Sequence, residues 1–421
     1  APPALRELAA SAEVWSYQIG SIGGRPPLLQ EIARGDFAIT VALQREGAEP
    51  GFALQTGTFG VRATYARTID CALRAAAHWP AKLLRLASLG VEPQATFEPR
   101  LVERKRKHAD ATLLDFAGYG LTSAKRLISN VFEYFFVVSR WNIGVVEAPI
   151  SLPLPLSSVS WLPVEPGYFV ADPMIIAGRG EREIFCEYYP FSTERGEVAV
   201  VAMNGHAIKP VSVITHASHM SYPFMLEHEG EIYCLPENSR AGELTLYRAR
   251  RYPYEWEKVA TIVENVPAID PTIVRHDDRW WLFATRADSD HNTNLFVWHA
   301  ENLLGPWHEH AANPVKSDVM GSRPAGNFFR VGGELYRPAQ DCSQSYGGAV
   351  TIHRILELTP TRFREAQVTR INPIPPYLHG LHTISSSGDR FVIDGRRDFI
   401  HPRKAIWAAR RVFSRLTTSR A

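Results

Sequence analysis

The sequence predicts a mainly β protein, a five-bladed β-propeller with a small N-terminal α/β piece and a linking helix. The first observation is a repeat between residues 168 and 394, in which a polar opening, an apolar strand, a Gly or Asp turn and an aromatic-led strand occur five times. The second is the spacing of roughly fifty residues, because repeated strand units of that size form propeller blades. The third is the 45% hydrophobic content of the 421 residues, which suffices for a large core.

Two unlike segments precede the repeat. Residues 1–92 contain an alternating apolar run at residues 38–43 and an Ala/Leu-rich run at residues 65–89, which predict a strand and a helix in the α/β piece. Residues 93–139 contain a Pro-marked linker with a basic run, interpreted as solvated, and an apolar-periodic helix that begins at Ala111.

Residues 140–400 are predicted to form the propeller. Residues 141–146 predict a strand that pairs with the last blade and closes the ring, which removes an exposed sheet edge. Each inner strand begins at the axis, so the first polar side chain of each blade is expected to point into one central cavity. The blades open, in order, at Asp172-Pro173, Tyr222-Pro223, Asp270-Pro271, Arg323-Pro324 and, more loosely, Leu381-His382.

Residues 401–421 form a basic amphipathic tail. No acid follows Asp398, while six Lys and Arg side chains accompany an apolar stripe. The tail is interpreted as a helix docked on the propeller or a frayed end; the alternative is a peripheral contact of residues 403–420 with an anionic membrane surface.

Charge, cysteine spacing and hydropathy indicate which partners, cysteine chemistry and cellular location to expect. The net charge of +2 gives no support for a nucleic-acid partner. The four cysteines lack a C-x-x-C or metal-like spacing and are expected to be reduced. No signal peptide or membrane-length apolar run is visible, which favours a cytoplasmic location, with the inner membrane face as the alternative if the tail binds lipid.

A series of short motifs in residues 140–400 resembles the N-terminal propeller domain of the glucosamine inositolphosphorylceramide transferase family. The motifs include Ala171-Asp172-Pro173, His219-Met220-Ser221-Tyr222-Pro223, Arg323-Pro324-Ala325-Gly326, Arg337-Pro338-Ala339-Gln340-Asp341-Cys342, Tyr346-Gly347 and Gly380-Leu381-His382. The resemblance implies a carbohydrate-active protein of glycolipid or surface-polysaccharide synthesis. Residues 15–90 also resemble the distal half of a formyltransferase, through Gly24-Arg25-Pro26-Pro27. The upstream half, which carries that family's Asn-x-His site, is not matched, and the family's Asp-x-Gly loop appears as Glu49-Pro50-Gly51. Residues 1–92 are therefore interpreted as a remnant without formyl transfer.

The blade openings are also similar to those of five-bladed glycoside hydrolases of the arabinanase, xylosidase and invertase type. This similarity implies Asp172 as base or nucleophile and Asp270 as its helper. Where those hydrolases carry the acid glutamate, this chain has Arg323, which suits a phosphate or carboxylate but cannot serve as the acid. Glycosyl chemistry needs such an acid. It is expected among three further carboxylates: Glu187, Glu237 and Asp341.

Substrate contacts are predicted from polar side chains at or near the blade openings: His219, Tyr222, Arg323, Arg337, Gln340, His382, Asp394 and Arg396. The arginines among them favour an anionic sugar or sugar phosphate. No metal and no cofactor are predicted, although a nucleotide sugar could be the donor substrate. Each residue also has a structural alternative, because an Asp before Pro can cap a turn and buried His or Glu side chains can pair within the fold.

Glycosyl transfer in bacterial surface-polysaccharide or glycolipid synthesis is therefore the first functional prediction. The preference for transfer comes from the family resemblance and the Arg-rich funnel. Two alternatives stay open: a glycoside hydrolase of the five-bladed type, and a non-catalytic propeller that binds a glycan or acts as a scaffold.

Overall fold

The computed structural model describes residues 14–20, 26–49, 51–92, 96–97, 110–176, 183–202, 209–401 and 404. The basic run of the linker and all of the predicted tail except Lys404 and His401 lie outside these residues. The rest form an α/β piece, a long helix and a five-bladed propeller.

Within the residues that the structure describes, the α/β piece contains a three-stranded antiparallel sheet, a two-stranded sheet and three short helices. Its strands are β1 (Trp15–Ile19), β2 (Ala38–Arg45), β3 (Phe52–Ala53), β4 (Gln55–Gly60) and β5 (Thr96–Phe97), and its helices are α1 (Leu29–Arg34), α2 (Tyr65–Ala76) and α3 (Trp79–Ser88). The sheet order is β1-β2-β4, and β3 pairs with β5. The single helix predicted over residues 65–89 is wrong: it is divided before Trp79, and Pro80 lies in the first turn of α3, where a missing N–H is tolerated.

The linking helix α4 (Leu113–Phe136) begins at a capping box, in which the Thr112 side chain and Asp115 bond reciprocally to each other's backbone N–H. Its Gly118 lies against Ala33, and the Tyr119 hydroxyl accepts a hydrogen bond from the backbone N–H of Tyr65. No helix in the described part of the chain is long and apolar enough to cross a membrane.

Five antiparallel sheets, each with a four-stranded path, form the blades. Blade 5 combines the first and last propeller strands, and blade 3 has a short extra strand, β20, beside β18. The strands are β6 (Val137–Val146), β7 (Ser160–Trp161), β8 (Tyr168–Met174), β9 (Glu183–Pro190), β10 (Glu197–Ala202), β11 (Val211–Ile214), β12 (Ser221–His228), β13 (Glu231–Glu237), β14 (Glu243–Arg251), β15 (Glu255–Glu264), β16 (Ala268–His276), β17 (Arg279–Arg286), β18 (Asn294–Ala300), β19 (His308–Glu309), β20 (Lys316–Ser317), β21 (Phe329–Val331), β22 (Glu334–Asp341), β23 (Ala349–Leu358), β24 (Phe363–Ile371), β25 (Ile384–Ser387) and β26 (Arg390–Ile400). A 3-10 turn, Leu156–Ser158, precedes β7.

The ring closes through β6, as the sequence predicted. Strand β6 pairs with β26 without a break from Val146, opposite Phe391, to Val137, opposite Ile400. Blade 5 therefore contains strands from both ends of the propeller segment, and neither β6 nor β26 is an open edge. The cores between blades are apolar, and Cys186 and Cys234 are fully buried there. All four cysteines are free, as expected.

The α/β piece packs against the outer part of blade 3 and the segment that leads to blade 4. The backbone N–H of Val319 donates to the Thr58 carbonyl at 2.9 Å, and the Trp79 indole N–H donates to Ser317 Oγ at 3.4 Å. Trp79 is completely buried. The formyltransferase origin of this piece stays a prediction.

Candidate functional site

The opening residues of blades 1 to 3 share an unusual backbone conformation. Asp172, Tyr222 and Asp270 have φ angles of +51°, +44° and +50°, and each lies where the inner strand shifts register against the next strand. A positive φ is costly for residues with a side chain, and a bulge changes the direction of the side chain. The repeat in the sequence thus marks a bulge that turns each opening residue out of its sheet and into contact with neighbouring blades.

Asp172 is the centre of contacts between blades 5, 1 and 2. Its Oδ2 accepts a hydrogen bond from the Tyr222 N–H at 3.2 Å, and its Oδ1 accepts one from the Thr383 hydroxyl at 3.0 Å. Its own N–H donates to Asp394 Oδ2 at 3.2 Å. Burial raises the pKa of Asp172 to about 6, while the nearby His382 acts in the opposite direction.

His382 belongs, with Asp172, Asp270, Arg323 and Asp394, to a cluster of buried charged side chains that we call the central ring. Its Nδ1 lies 2.5 Å from Asp394 Oδ2 and its Nε2 lies 3.5 Å from Asp172 Oδ1. The imidazole stacks on the Trp141 ring, with 3.9 Å between centroids. Burial alone lowers the pKa of His382, but Asp394 and then Asp172 outweigh it, so the net pKa is raised. His382 is therefore favoured as an imidazolium between two carboxyl groups.

Asp270 joins blades 2, 3 and 4 through its hydrogen bonds. Its Oδ2 accepts hydrogen bonds from Arg323 Nε at 2.6 Å and from Gln340 Nε2 at 2.7 Å. Its N–H donates to Glu237 Oε2 at 3.1 Å. The Arg323 guanidinium lies over the Tyr346 ring, 4.8 Å from its centroid. Arg323 is thus fixed in a salt bridge and an aromatic contact rather than projecting freely.

Two buried glutamates flank the aspartates. Burial, followed by the charge of Asp172, raises the pKa of Glu187 well above its usual value. Burial, followed by Asp270, raises the pKa of Glu237 to about 8. Glu237 is therefore mainly protonated near pH 7 and Asp172 mainly ionised, and the pKa of Glu187 is shifted in the same direction as that of Glu237. Carboxyl groups with different pKa values suit general acid and base roles.

The two glutamates differ in their hydrogen bonds. Both oxygens of Glu237 accept one, from the Asp270 N–H and, at 3.0 Å, from the Ser239 hydroxyl. Glu187 Oε1 lies 3.4 Å from Nε2 of the partly exposed His219, while Oε2 has no partner among the described residues. Glu187 therefore differs from Glu237 in having one oxygen without a hydrogen bond to the described residues. His219 itself accepts a hydrogen bond at Nδ1 from the Gly196 N–H.

Ligand atoms of Asp172, His382 and Asp394 lie within 4.8 Å of one another, a spacing that could suit a metal ion. However, Asp394 already accepts N–H bonds from His382 and Thr383 at Oδ1 and from Asp172 at Oδ2. These contacts account for the cluster as a hydrogen-bonded network, and we assign no ion to it.

The structure corrects the prediction that Arg337 contacts the substrate. Arg337 is 1% exposed and binds Glu365 through two N–H groups, at 2.8 and 2.7 Å. Two further bonds go to the backbone carbonyls of Gly321 and Ser322. All of these contacts are structural, so the guanidinium of Arg337 is not available to a substrate.

Asp341 is not brought into the ring either. Strand alternation places its side chain on the face opposite to Gln340, where it accepts bonds from Ser343 and from Arg370 Nε at 2.8 Å. It is therefore a poor candidate for the acid, which corrects that part of the prediction.

The side chains of Tyr222 and Arg396 already bond to other residues of the protein. The Tyr222 side chain is fully buried, and its hydroxyl bonds to Thr272 Oγ1 at 2.7 Å and accepts from the Gly326 N–H at 2.6 Å. It joins blades 2, 3 and 4 and cannot contact a substrate, contrary to the prediction. Arg396 donates to the carbonyls of Tyr346 and His379 and so positions the Tyr346 loop.

Four neighbours of the ring were missed from the sequence: Trp141, Asn292, Tyr346 and Thr383. Trp141 was interpreted only as part of the closing strand, and Tyr346 only as part of a family motif. Thr383 follows His382 directly, which was an available signal. Asn292, which accepts a bond from Arg323 at 3.3 Å, comes from a loop with no distinctive pattern.

A family model described as "Glucosamine inositolphosphorylceramide transferase 1, N-terminal" matches residues 140–373. The glucosamine inositolphosphorylceramide transferase 1 of Oryza sativa subsp. japonica is 38% identical over 217 residues, which are 49% of this chain and 29% of the rice protein. The protein of that name from Arabidopsis thaliana is 32% identical over 215 residues, 48% of this chain and 28% of the relative. The chain thus spans less than a third of these relatives.

Solved structures with lower similarity include a family 117 glycoside hydrolase of Zobellia galactanivorans. It has a TM-score of 0.40 and 12% identity, over 61% of this chain and 90% of that chain. An α-L-arabinanase of Cellvibrio cellulosa has a TM-score of 0.35 and 12% identity, over 48% of this chain and 78% of that chain.

Proposed function

The chain belongs to the family described as glucosamine inositolphosphorylceramide transferase 1, N-terminal, and from this premise we propose that its central ring performs glycosyl transfer. The substrate class is a sugar or sugar phosphate, and a glycolipid is the first acceptor to test, because the relatives' name includes inositolphosphorylceramide. A role in surface-polysaccharide or glycolipid synthesis is part of the proposal.

The observation that carries the proposal is the position of two buried carboxyl groups, both with raised pKa values, in neighbouring strands. Asp172 has a pKa of about 6, and the pKa of Glu187 is raised well above the usual value. Ala171 pairs with Glu187 across β8 and β9, so both groups come from one hairpin. Glycosyl chemistry requires this combination of a carboxylate and a carboxylic acid.

In the proposed reaction an acceptor hydroxyl attacks the anomeric carbon and gives its proton to Asp172. The bond from the anomeric carbon to the leaving oxygen breaks with its electron pair on that oxygen, and Glu187 supplies a proton to it. Asp270 and Arg323 act as positioning residues through their 2.6 Å salt bridge. With water in place of the acceptor, the same steps give hydrolysis, the alternative reaction.

A second candidate is a glycan-binding propeller without turnover. The observation in its favour is that Asp172, Asp270 and Asp394 all accept backbone or side-chain hydrogen bonds that join blades. Acids with such bonds can be retained for architecture alone.

The test is an assay of the whole protein with a panel of nucleotide sugars and glycolipid acceptors, followed by aryl glycosides. We expect Asp172→Asn and Glu187→Gln to lower turnover by roughly 100-fold or more, as is typical for loss of a general acid or base, while ligand binding persists. Glu231→Gln, an exposed change in β13, is the control and should keep full activity. Glycoside hydrolysis without transfer would favour the alternative reaction, and binding without any turnover would favour the second candidate.

A further inference from the structure

A cleft of about 880 Å³ lies between the α/β piece and blade 3, outside the central ring. Helices α2 and α3 form one wall, and the loop after β17, with Phe296 of β18 and the segment at Asn313, forms the other. Clefts of this size at the junction of two structural units commonly bind small molecules.

The walls of the cleft carry more positive than negative charge. The basic residues are Arg62, Arg74, Lys82, Arg85 and Arg286, and the acidic ones are Asp288, Asp290 and Glu309. Arg286 pairs with Asp288 at 2.6 Å, Arg62 with Asp290 at 3.4 Å and Arg74 with Asp70 at 2.8 Å. Neither Lys82 nor Arg85 has an acidic partner within 4.0 Å in the part of the chain that the structure describes.

Lys82 and Arg85 are held by backbone carbonyls instead. Lys82 Nζ donates to the Pro314 carbonyl at 2.9 Å, and an Arg85 N–H donates to the Asn313 carbonyl at 3.2 Å. Burial, with a smaller contribution from Arg85, lowers the pKa of Lys82 to about 7. A buried ammonium group without a counterion is unfavourable, so an anion in the cleft would be stabilised by it.

We propose that this cleft binds a phosphate-bearing small molecule, with Lys82 and Arg85 as the groups that contact the phosphate and Arg74 at its edge. Guanidinium and ammonium groups are the usual protein partners of phosphate oxygens. Lys82 and Arg85 each bond to one backbone carbonyl, and Arg85 is exposed, so its other N–H groups can donate to a phosphate. The inference goes beyond the proposed function, because it holds whether or not the central ring transfers a sugar.

The cleft ends close to the ring. His291 lines the cleft, and its pKa is lowered by burial and then by Arg323, the partner of Asp270. The next residue, Asn292, accepts a hydrogen bond from Arg323. The loop at residues 290–292 therefore connects the cleft with Arg323 and, through it, with Asp270.

Calorimetric titration of the whole protein tests the proposal, with three probes at fixed ionic strength: pyrophosphate, uridine diphosphate and myo-inositol 1-phosphate. We expect saturable binding to the wild-type protein and a loss of roughly 10- to 100-fold in affinity for Arg85→Gln, the usual effect of losing a hydrogen bond to a charged group. Lys82→Met should act in the same way. Arg67→Gln removes an exposed charge from the same helix as Arg74 but away from the cleft, and should change the affinity less than twofold.

Cys71 provides an independent readout, because this partly exposed thiol lines the cleft while the other three cysteines are buried. Bound probe should slow alkylation of Cys71 by iodoacetamide, measured by peptide mass spectrometry, and Arg85→Gln should abolish this protection. The alkylation assay and Arg85→Gln remain decisive if Lys82→Met fails to fold.

Three results would overturn the proposal: no saturable binding of any probe to the wild-type protein, equal losses in Arg85→Gln and Arg67→Gln, or binding that leaves Cys71 alkylation unchanged. A preference for uridine diphosphate would identify a nucleotide and a preference for inositol phosphate a lipid headgroup. Equal binding of all three probes would support recognition of phosphate alone.

Discussion

Thr383 links the chemistry of blade 1 to blade 5 through one hydroxyl group. Its Oγ1 donates to Asp172 Oδ1 at 3.0 Å, and the side chain is completely buried. This hydrogen bond favours the ionised carboxylate and lowers the pKa of Asp172, against the larger effect of burial. The pH at which Asp172 becomes ionised therefore depends on a residue that does not itself titrate.

Thr383→Val should move the acid limb of the activity profile to higher pH. The valine keeps the shape but removes the donor, so the pKa of Asp172 rises above about 6 and the carboxylate forms only at higher pH. The measurement is kcat/KM against pH. Thr383→Ser retains a hydroxyl and should keep the original limb. An unchanged or lowered limb in Thr383→Val would contradict the assignment of that limb to Asp172.

The closing strand β6 is the element that completes the ring, and Gly144 is its tightest point. A Cβ at Gly144 would lie 2.5 Å from Val159 Cγ1 and 3.1 Å from the Trp161 ring. Both neighbours belong to β7 or the residue before it, so a side chain here would push β7 away from β6.

Gly144→Ala should therefore destabilise the protein by about 1–3 kcal/mol, the usual cost of overpacking. Gly120→Ala in α4 is the matched control. No atom lies within 4 Å of its Cβ position, and alanine is favoured in a helix, so stability should be unchanged or rise by up to about 1 kcal/mol. Denaturant unfolding measures both. Equal effects of the two substitutions would show that β6 and β7 can separate at little cost.

The blades could be predicted because each repeats the same local signals. The proline after Asp172, Tyr222 and Asp270 marks the bulge, and a turn and an aromatic strand follow each opening within a few residues. These signals depend on neighbours in the chain and need no knowledge of distant contacts.

The site was predicted less well, and β22 shows why. Arg337, Gln340 and Asp341 were all assigned to the funnel, although strand alternation sends Gln340 and Asp341 to opposite faces. Arg337 contacts Glu365 in β24, and that contact depends on register shifts between β23 and β24 that the sequence does not reveal. Alternation could have excluded Asp341, whereas the partner of Arg337 could not be foreseen.

At the scale of the whole molecule, Trp79 lies at the contact between the α/β piece and the propeller. The indole is completely buried, and its N–H reaches Ser317, 238 residues further along the chain. Lys82 and Arg85, about one and two turns later in α3, contact Pro314 and Asn313, which lie shortly before Ser317 in the same segment. Contacts over such a sequence distance have no local signal, so this docking could not be predicted from the sequence.

Trp79→Ala should lower the free energy of unfolding by about 3–5 kcal/mol, because it leaves a large cavity at this junction. It should also separate the single calorimetric transition expected of the wild-type protein into two. Leu84 in the same helix is 63% exposed, so Leu84→Ala is the control and should change stability by less than about 0.5 kcal/mol. A single unshifted transition in Trp79→Ala would show that the two units do not stabilise each other.

The hydrogen bonds of the central aspartates bear on how this protein could evolve. Replacing Asp394 would leave the N–H groups of Asp172, His382 and Thr383 without their acceptor, whether or not any sugar is ever turned over. Selection for a folded protein alone would thus preserve the aspartates in descendants that had lost activity. Among the buried acids of the site, Glu187, whose second oxygen bonds to none of the described residues, is the one that such selection would preserve least.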